Sequence, residues 1–564
     1  MKKNWTLLPL PSKEKAEKMA QELGIASITA NILINRGLTT PQEIYKFLNP
    51  VTEDLHDPFL LPQMEAAVTR IIQAIKEQQK ILIYGDYDVD GTTASALLYR
   101  VLKNLNITPE IYIPNRIKEG YGLTEKGIEY CLKSYVKLII TVDCGTTAVE
   151  EIGLLQKNGV DVIVTDHHNP YEELPKAIAI INPKISLYPF KELSGCGVVF
   201  KLAQALYKKL GMETDKLLNY LDLVALATVC DVTPLIEENR VFAKYGMKAI
   251  EQTKNVGLKA LIEVSGLKNM PINPYYLGFV LGPKINAQGR LGEAKEVAYF
   301  LTTENRGEAY EIAKKFDTEN RKRQAIQEII LKEAIQEIEK FELNKKNGIV
   351  IAREGWHPGV IGIVASKIQE KFFRPTLLIA IDGKIGKGSA RSIPTFSIYN
   401  ALSQCKEYLN TYGGHEAAAG FTIPIENIQA FKEKFETQIV AQLKYEELIH
   451  NFQIDGEIEI KEIDDNLVYE VERLSPFGKG NPRPVFLTKN AQVVGTPSVV
   501  KKEHLKFRVR DGGQKSIKAI GFGLGKVALA TGNLINLIYE IEEENYLGKT
   551  NLFLKVNDIE AINT

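Results

Sequence analysis

Thiols are scarce in this chain: five cysteines in 564 residues, at positions 131, 144, 196, 230 and 405. Their number is odd and no two stand at a CxxC spacing, which argues against a disulfide framework and against a thiolate zinc site. Long apolar runs are missing as well. The longest, such as residues 223–229, stop far short of the ~20 residues a spanning helix needs. Lys2 and Lys3 mimic the basic start of a secretion signal, but the apolar stretch after them is short and broken by Pro9 and Pro11. No signal is read, no membrane association is expected, and the cytoplasm is the expected compartment. Excess charge is also absent, because 70 Lys and Arg balance 70 Asp and Glu. A nucleic-acid partner therefore cannot be argued from the total and would need local basic surface. Fixed-period repeats and low-complexity segments are lacking too.

What remains is an ordinary globular composition, 45% apolar and 25% charged, long enough for about three or four domains. Short apolar runs at 81–84, 110–113, 136–142, 160–164 and 177–181 alternate with helical patterns such as 92–104 and 147–158. This βαβ rhythm predicts a mostly parallel sheet covered on both faces. Residues 13–80 before it read as helical, as do residues 197–265 after it. Residues 306–342 form one long charged pattern without proline, which reads as a long connecting helix or, equally on sequence alone, a surface helix of the first domain. Strand–helix rhythm restarts at 347–381, and from 452 onward alternating strands punctuated by Gly and Pro predict an all-β tail, an OB-like barrel. The expected division is a helical extension (1–75), a first α/β domain (76–304), a connecting helix (305–345), a smaller α/β domain (346–445) and the barrel (446–564).

The chemistry lies at strand ends. Strand 81–84 runs into Gly85-Asp86-Tyr87-Asp88-Val89-Asp90-Gly91, strand 138–140 into Thr141-Val142-Asp143-Cys144-Gly145, and strand 162–164 into Thr165-Asp166-His167-His168. In open parallel sheets the carboxyl ends of strands share one crevice. Carboxylates gathered there repel unless a divalent cation neutralises them. Mixed Asp and His ligation suits Mn²⁺, Zn²⁺, Fe²⁺ or, with more water, Mg²⁺. Two such ions about 4 Å apart would clamp both oxygens of an in-line displacement at phosphorus. A single strand-end Asp is more often a helix N-cap, and a lone His-His pair is often a surface accident. Three strand ends carrying the pattern together outweigh that reading. Asp166 fits orientation of a ligand or capping as well as ligation. Asp231 ends an apolar helical run before Pro234 and is weak by itself.

These segments, GDYDVDG, TVDCG, TDHH and the Asp231 segment, resemble in order the four motifs of the DHH phosphoesterase superfamily. The resemblance implies metal ligation by Asp88, Asp90, Asp143, His167 and Asp231, with Asp86 beside them, and a phosphate-contacting or ligand-supporting role for His168. Gly413-Gly414-His415 resembles the GGH segment of the DHH-associated domain, a small-residue turn expected to open towards a helix with its backbone N–H groups facing a phosphate. Residues 386–392, GKGSARS, read as a flexible basic loop suited to phosphate capture.

Segments 114–122 (PNRIKEGYG), 282–291 (GPKINAQGRL, with Lys284 where Arg is commoner), 320–324 (NRKRQ) and 476–482 (PFGKGNP) resemble the RecJ family of that superfamily. Together the resemblance spans about residues 39–555. It implies a 5′→3′ exonuclease that degrades single-stranded DNA to mononucleotides in repair and recombination, using two divalent cations, Mn²⁺ or Mg²⁺. Arg116, Ser389 and Arg391 would hold the terminal 5′ phosphate, Arg290 would stand where the strand enters, and His415 and His168 would stabilise charge on phosphate oxygens. The barrel would bind the incoming strand with Lys501, Lys502, Lys506, Arg508, Arg510, Lys515 and Lys518, and Phe507 could stack a base. A monomer working with a helicase and single-strand-binding protein is expected. The alternatives are a DHH phosphodiesterase for short oligonucleotides and an inactive DNA-binding scaffold.

Overall fold

The computed structural model describes residues 3–9, 13–116, 118–513, 515–546 and 549–562. Ile117, inside the 114–122 segment, lies outside the described residues. The first strand, β1 (Asn4–Leu7), pairs in parallel with residues 451–454, far along the chain.

The expected parallel sheet is present. Strands β2 (Ile81–Gly85), β3 (Glu110–Tyr112), β4 (Leu138–Val142), β5 (Asp161–Thr165) and β6 (Ala179–Ile181) pair in the order β3-β2-β4-β5-β6, all parallel. Successive side chains of a strand point to opposite faces, and both faces here are buried. Ile81, Ile83, Leu138, Ile140 and Ile163 enter a core with the helices Met64–Lys76, Val89–Asn104, Gly195–Lys209 and Leu221–Cys230. Leu82, Tyr84, Ile139, Val162 and Val164 enter a second core with Cys131, Ile152 and Leu155. A strand buried on both sides has no polar face to alternate with, which is why these segments read as continuous apolar runs.

The long helix runs from Arg306 to Lys340, 35 residues, or about 50 Å at 1.5 Å per residue. Asn305 caps it by accepting hydrogen bonds from the Gly307 and Glu308 N–H groups. Ala309, Ala313 and Phe316 belong to the core of the first sheet, whereas Ile330, Ala334 and Ile338 belong to the next domain. Lys284 pairs with Asp317 at 2.6 Å and ties the preceding helix, Gly282–Leu291, to the connector.

The second sheet is mixed. Strands β7 (Ile349–Glu354), β8 (Thr376–Asp382), β9 (Ile385–Arg391), β10 (Thr411–Gly414) and β11 (Ala418–Pro424) lie in the order β10-β11-β9-β8-β7, with only the β7–β8 pair parallel. Two expectations fail here. The supposed loop 386–392 lies almost wholly within β9, pairing on one side with β8 and on the other with β11. Small residues leave room there: the Gly386 and Gly388 positions are overlain by Ile423 and the Phe421 ring. The GGH turn opens into a strand, because Gly413 and Gly414 end β10, and the hairpin returns as β11 with the His415 N–H donating to the Ala418 carbonyl at 2.8 Å.

The remaining strands are β12 (Asn451–Ile454), β13 (Gly456–Glu457), β14 (Val485–Val500), β15 (His504–Arg510), β16 (Ile517–Gly521), β17 (Leu534–Tyr546) and β18 (Lys549–Ala561). Pairings β14–β15, β15–β16, β16–β18, β18–β17 and β17–β14 close a five-stranded barrel. Closure removes free edges. At 454–460, where the alternating pattern predicts a strand, the chain divides between the end of β12, the short β13 and a turn of 3₁₀ helix at 460–462. Phe507 cannot stack a base: it is 4% exposed in the barrel core beside Leu505 and Val509. Alternation along β15 instead puts Arg508 and Arg510 on the outer, exposed face. The N-terminal segment divides between two cores. Met19, Ile32, Leu33 and Ile44 pack on the barrel, and Met64, Val68 and Ile71 pack beneath the first sheet.

Candidate active site

In the first sheet β3 lies on one side of β2 and β4 on the other, so the connections diverge and leave a crevice at the carboxyl ends of β2 and β4. Asp86, Asp88 and Asp90 follow β2, Asp143 follows β4, and His167 follows β5. Asp231 arrives from another element, as the residue closing the helix Leu221–Cys230.

Each side chain is held by local structure. Asp88 does cap its helix, accepting from the Gly91 N–H at 3.1 Å, but this occupies one oxygen only. Asp90 lies on the helix Val89–Asn104 and accepts two backbone hydrogen bonds of 2.7 Å, from Gly195 and Cys196 at the start of the next helix. Asp143 sits at φ +61°, a left-handed conformation that aspartate tolerates better than most residues. Its N–H donates to the Thr165 carbonyl at 2.9 Å, which locks the ends of β4 and β5 together.

Asp166 is an orienting residue. One of its oxygens accepts from the His167 N–H (2.7 Å), the His168 N–H (3.1 Å) and His168 Nδ1 (2.8 Å), and the other accepts from the Thr146 N–H at 2.9 Å. Burial opposes its ionisation, yet these bonds, the one from His168 foremost, hold its carboxyl well below the usual range.

His167 Nε2 lies 3.1 Å from Asp143, 3.7 Å from Asp231 and 3.8 Å from Asp90. These spacings suggest ion pairs, but burial and the neighbouring His168 push the imidazole down to about 3. A neutral ring is what a metal ligand requires, so the contacts are those of co-ligands facing one point. Burial raises Asp86, Asp143 and Asp231 well above the carboxylate range and Asp90 to about 7, in each case reinforced by adjacent aspartates. Against the same burial, the hydrogen bond to Asp166 carries His168 up to about 9.

Divalent metal fits these residues. Asp86 Oδ1, Asp143 Oδ1 and His167 Nε2 are buried without a hydrogen-bond partner, a costly state unless another ligand meets them. Three sets, Asp86-Asp88-Asp143, Asp90-His167-Asp231 and Asp143-His167-His168, each bring their ligand atoms within 4.8 Å of one another. Asp143 and His167 each recur in two of them, which is the arrangement of a shared, two-ion centre.

A second cluster is cationic. Arg116 lies over the Tyr87 ring at 4.9 Å. Arg290 donates to the Gly359 carbonyl at 3.0 Å, across to the second domain. Arg391 donates to Ser366 Oγ (3.1 Å), Ser389 Oγ (3.2 Å) and the Ala390 carbonyl (2.7 Å). Burial lowers Arg290 to about 9, helped by Arg116, Arg323 and Arg391, and the same causes, burial and then Arg116, lower Arg391. Guanidiniums that depress one another call for an anion, and a phosphate matches their planar donor forks. The hairpin residue His415 feels the charge of His168: burial lowers it first, then His168 and Lys184.

The sequence motifs thus resolve into three groups: the Asp/His centre, the arginine cluster with Ser389, and the Gly413-Gly414-His415 hairpin. Tyr121 and Arg323 were not singled out beforehand. Tyr121 Oη donates to the Asp143 carbonyl at 3.3 Å and lies 3.2 Å from His168 Nδ1. The Arg323 guanidinium is buried between Asn320 and Gln327, donating at 2.6 Å to each. They lie inside segments 114–122 and 320–324, but nothing within those strings marks which side chain makes these contacts.

The parallel sheet with acids and imidazoles at its strand ends is that of a DHH-type domain: residues 80–228 match the DHH family, N-terminal domain. Residues 345–441 match the DHHA1 domain and residues 454–558 the RecJ OB domain. The single-stranded-DNA-specific exonuclease RecJ of Bacillus subtilis is 38% identical over 97% of this chain and 70% of its own length. That of Thermus thermophilus is 31% identical over 93% of this chain and 74% of its own. The crystal structure of Thermus thermophilus RecJ in complex with Mn²⁺ superposes over 100% of this chain and 80% of that one, with a TM-score of 0.87 at 28% identity. A complex of the same protein with Mg²⁺ gives 0.80. The chain belongs to the RecJ family.

Proposed function

We propose that this chain is a metal-dependent exonuclease that hydrolyses single-stranded DNA from the 5′ end to mononucleotides. One observation carries the reading: buried, unpartnered ligand atoms of Asp86, Asp143 and His167 stand close to Arg116, Arg290 and Arg391, guanidiniums near enough to depress one another. That pairing serves a substrate that is phosphate at its end and phosphate along its length. The relatives' specificity for single-stranded DNA supports it.

Asp86, Asp88, Asp90, Asp143, His167 and Asp231 would hold two divalent cations, Mn²⁺ or Mg²⁺, as the Thermus protein binds each. When bound, such ions supply a hydroxide at neutral pH and polarise the scissile phosphate. The rest is the work of side chains. Asp166 fixes His168 through Nδ1, which leaves Nε2 to hydrogen-bond a phosphate oxygen. His415, with the backbone of Gly413 and Gly414, meets the phosphate from the opposite domain. Arg116, Ser389 and Arg391 take the terminal 5′ phosphate and set the register, and Arg290 stands at the strand's entry. The outer face of the barrel, with Arg508 and Lys518 paired across β15 and β16, tracks backbone phosphates. A role in repair and recombination follows, as a cytoplasmic monomer supplied with single strands by a helicase and single-strand-binding protein.

The test is nucleotide release from 5′-phosphorylated strands with Mn²⁺, comparing long single strands, duplexes and dinucleotides. Digestion of long single strands is expected. Activity confined to dinucleotides would identify a short-oligonucleotide phosphodiesterase, and tight strand binding without release would identify a scaffold.

A further inference from the structure

The segment PFGKGNP, residues 476–482, precedes the barrel strands yet docks on the first domain a few residues past Asp231. The Leu235 N–H donates to the Lys479 carbonyl at 2.7 Å. A Cβ on Gly480, at φ +75°, would meet Pro234 at 2.9 Å, so only glycine allows so close an approach.

The loop is fixed from behind. Asn481, fully buried, donates to the Leu474 and Pro476 carbonyls at 2.8 Å each. Arg240, 2% exposed, donates to Leu474 (2.9 Å), Ser475 (2.8 Å) and Arg473 (3.3 Å), and also to the Phe47 carbonyl (2.7 Å). A buried guanidinium spent on main-chain carbonyls holds a backbone path rather than a charge. So rigid a mounting leaves one conspicuous free end. Lys479, between two glycines, is exposed and forms no ion pair among the described residues. The loop's backbone meets the chain at Pro234 and Leu235, three and four residues past Asp231, where the helix Leu221–Cys230 delivers that carboxylate.

We propose that Lys479 is a phosphate-contacting residue of the catalytic cleft, its ammonium binding a backbone phosphate of the strand on the barrel side of the scissile bond. The loop's geometry favours this over a purely structural lysine, since its carbonyl and the flanking glycines make the docking contacts and its side chain makes none of them. The cation is delivered to the mouth of an acidic centre, where a polyanionic strand must pass from barrel to metal ligands. Lys479 lowers the repulsion between that strand and the carboxylates and anchors one phosphate. The assignment rests on the single-strand nuclease reading.

The experiment compares the full-length wild type, Lys479→Ala and Lys479→Arg on 5′-phosphorylated oligothymidylate with Mn²⁺, over a range of salt concentrations. Lys479→Ala is expected to raise KM roughly tenfold with kcat little changed and to lower the slope of log affinity against log salt by about one, and Lys479→Arg to restore most of both. Wild-type KM and salt slope in Lys479→Ala would overturn the assignment while leaving the nuclease reading intact. So would a lower melting temperature with loss confined to kcat, which marks a structural loop. No release by the wild type would sink the nuclease reading and this inference with it.

Discussion

The cleft is made by two α/β domains that build their halves in opposite ways. The first is an all-parallel sheet in which β2, β4 and β5 deliver reactive residues just past their carboxyl ends, so Asp86, Asp143 and His167 gather in one crevice without any being inside a strand, and a helix end adds Asp231. The second is a mixed sheet whose candidate phosphate-binding groups ride on a strand and a hairpin: Ser389 and Arg391 lie within β9, and Gly413 and Gly414 end β10. The first half gathers repelling carboxylates and the second, with Arg116 and Arg290, repelling guanidiniums. Neither arrangement is at ease without a ligand, and under the proposed function the ligands have opposite sign: cations on one side, phosphates on the other.

This asymmetry breaks most visibly at Asp143, the residue common to two of the candidate ligand sets. Asp143→Asn should cut nucleotide release by at least about 10³-fold, while strand binding through the second domain persists. In chelator the same variant should melt above the wild type, because it removes one of several buried carboxylates that oppose one another's ionisation. Each kcal/mol recovered is worth roughly 2–4 °C for a domain of this size. Mn²⁺ should then raise the melting temperature of the wild type and leave that of the variant unmoved. Calorimetry with and without Mn²⁺ checks both, and a variant that melts lower in chelator would show that the carboxylates are neutralised by something other than metal.

The same contrast governs how much could be seen in the sequence. Parallel strands buried on both faces leave uninterrupted apolar runs, and Asp or His directly after three such runs is a pattern with a geometric meaning. Asp86, Asp88, Asp90, Asp143 and His167 were legible for that reason. Asp231 was not, because it reaches the centre from a helix end, and only the family resemblance singled it out. The second half hid itself further. GKGSARS has the composition of a turn, yet Gly386 and Gly388 are small because Ile423 and Phe421 cover them, so composition pointed to a loop where packing makes a strand. Phe507 misled in the other direction: in a basic, alternating strand the aromatic belongs to the inward set with Leu505 and Val509, and only the barrel's closure shows which set is inward.

Arg391→Ala tests the opposite sign. Losing a fork that donates to Ser366, Ser389 and Ala390 should raise KM for 5′-phosphorylated strands by about 10–100-fold, the range for charged hydrogen bonds. The turnover at saturation should change far less. Strands with a 5′ hydroxyl should lose little, so the ratio between the two ends is the diagnostic. Equal losses on both ends would mean that Arg391 contacts the strand elsewhere, and the division of labour between the two halves would need redrawing.

The finest probe is a pair of glycine-to-alanine changes, one in each domain. Gly362 lies in the helix Pro358–Phe372, and a Cβ there would stand 2.8 Å from Ser389 Oγ and 3.1 Å from Arg391 Nη2. Gly153 lies in the helix Val149–Lys157 with nothing within 4 Å. Alanine favours an interior helical position over glycine by about 1 kcal/mol, so Gly153→Ala should stabilise the protein and leave kinetics alone. Gly362→Ala gains the same propensity but must push Ser389 and Arg391 aside. Its effect should be a rise of about threefold in KM for 5′-phosphorylated ends at unchanged kcat, smaller than that of Arg391→Ala because the guanidinium is displaced and not removed. Unchanged KM in Gly362→Ala would mean that the arginine tolerates displacement and that the pocket is set chiefly by Arg116 and Arg290, from the first domain's side of the cleft.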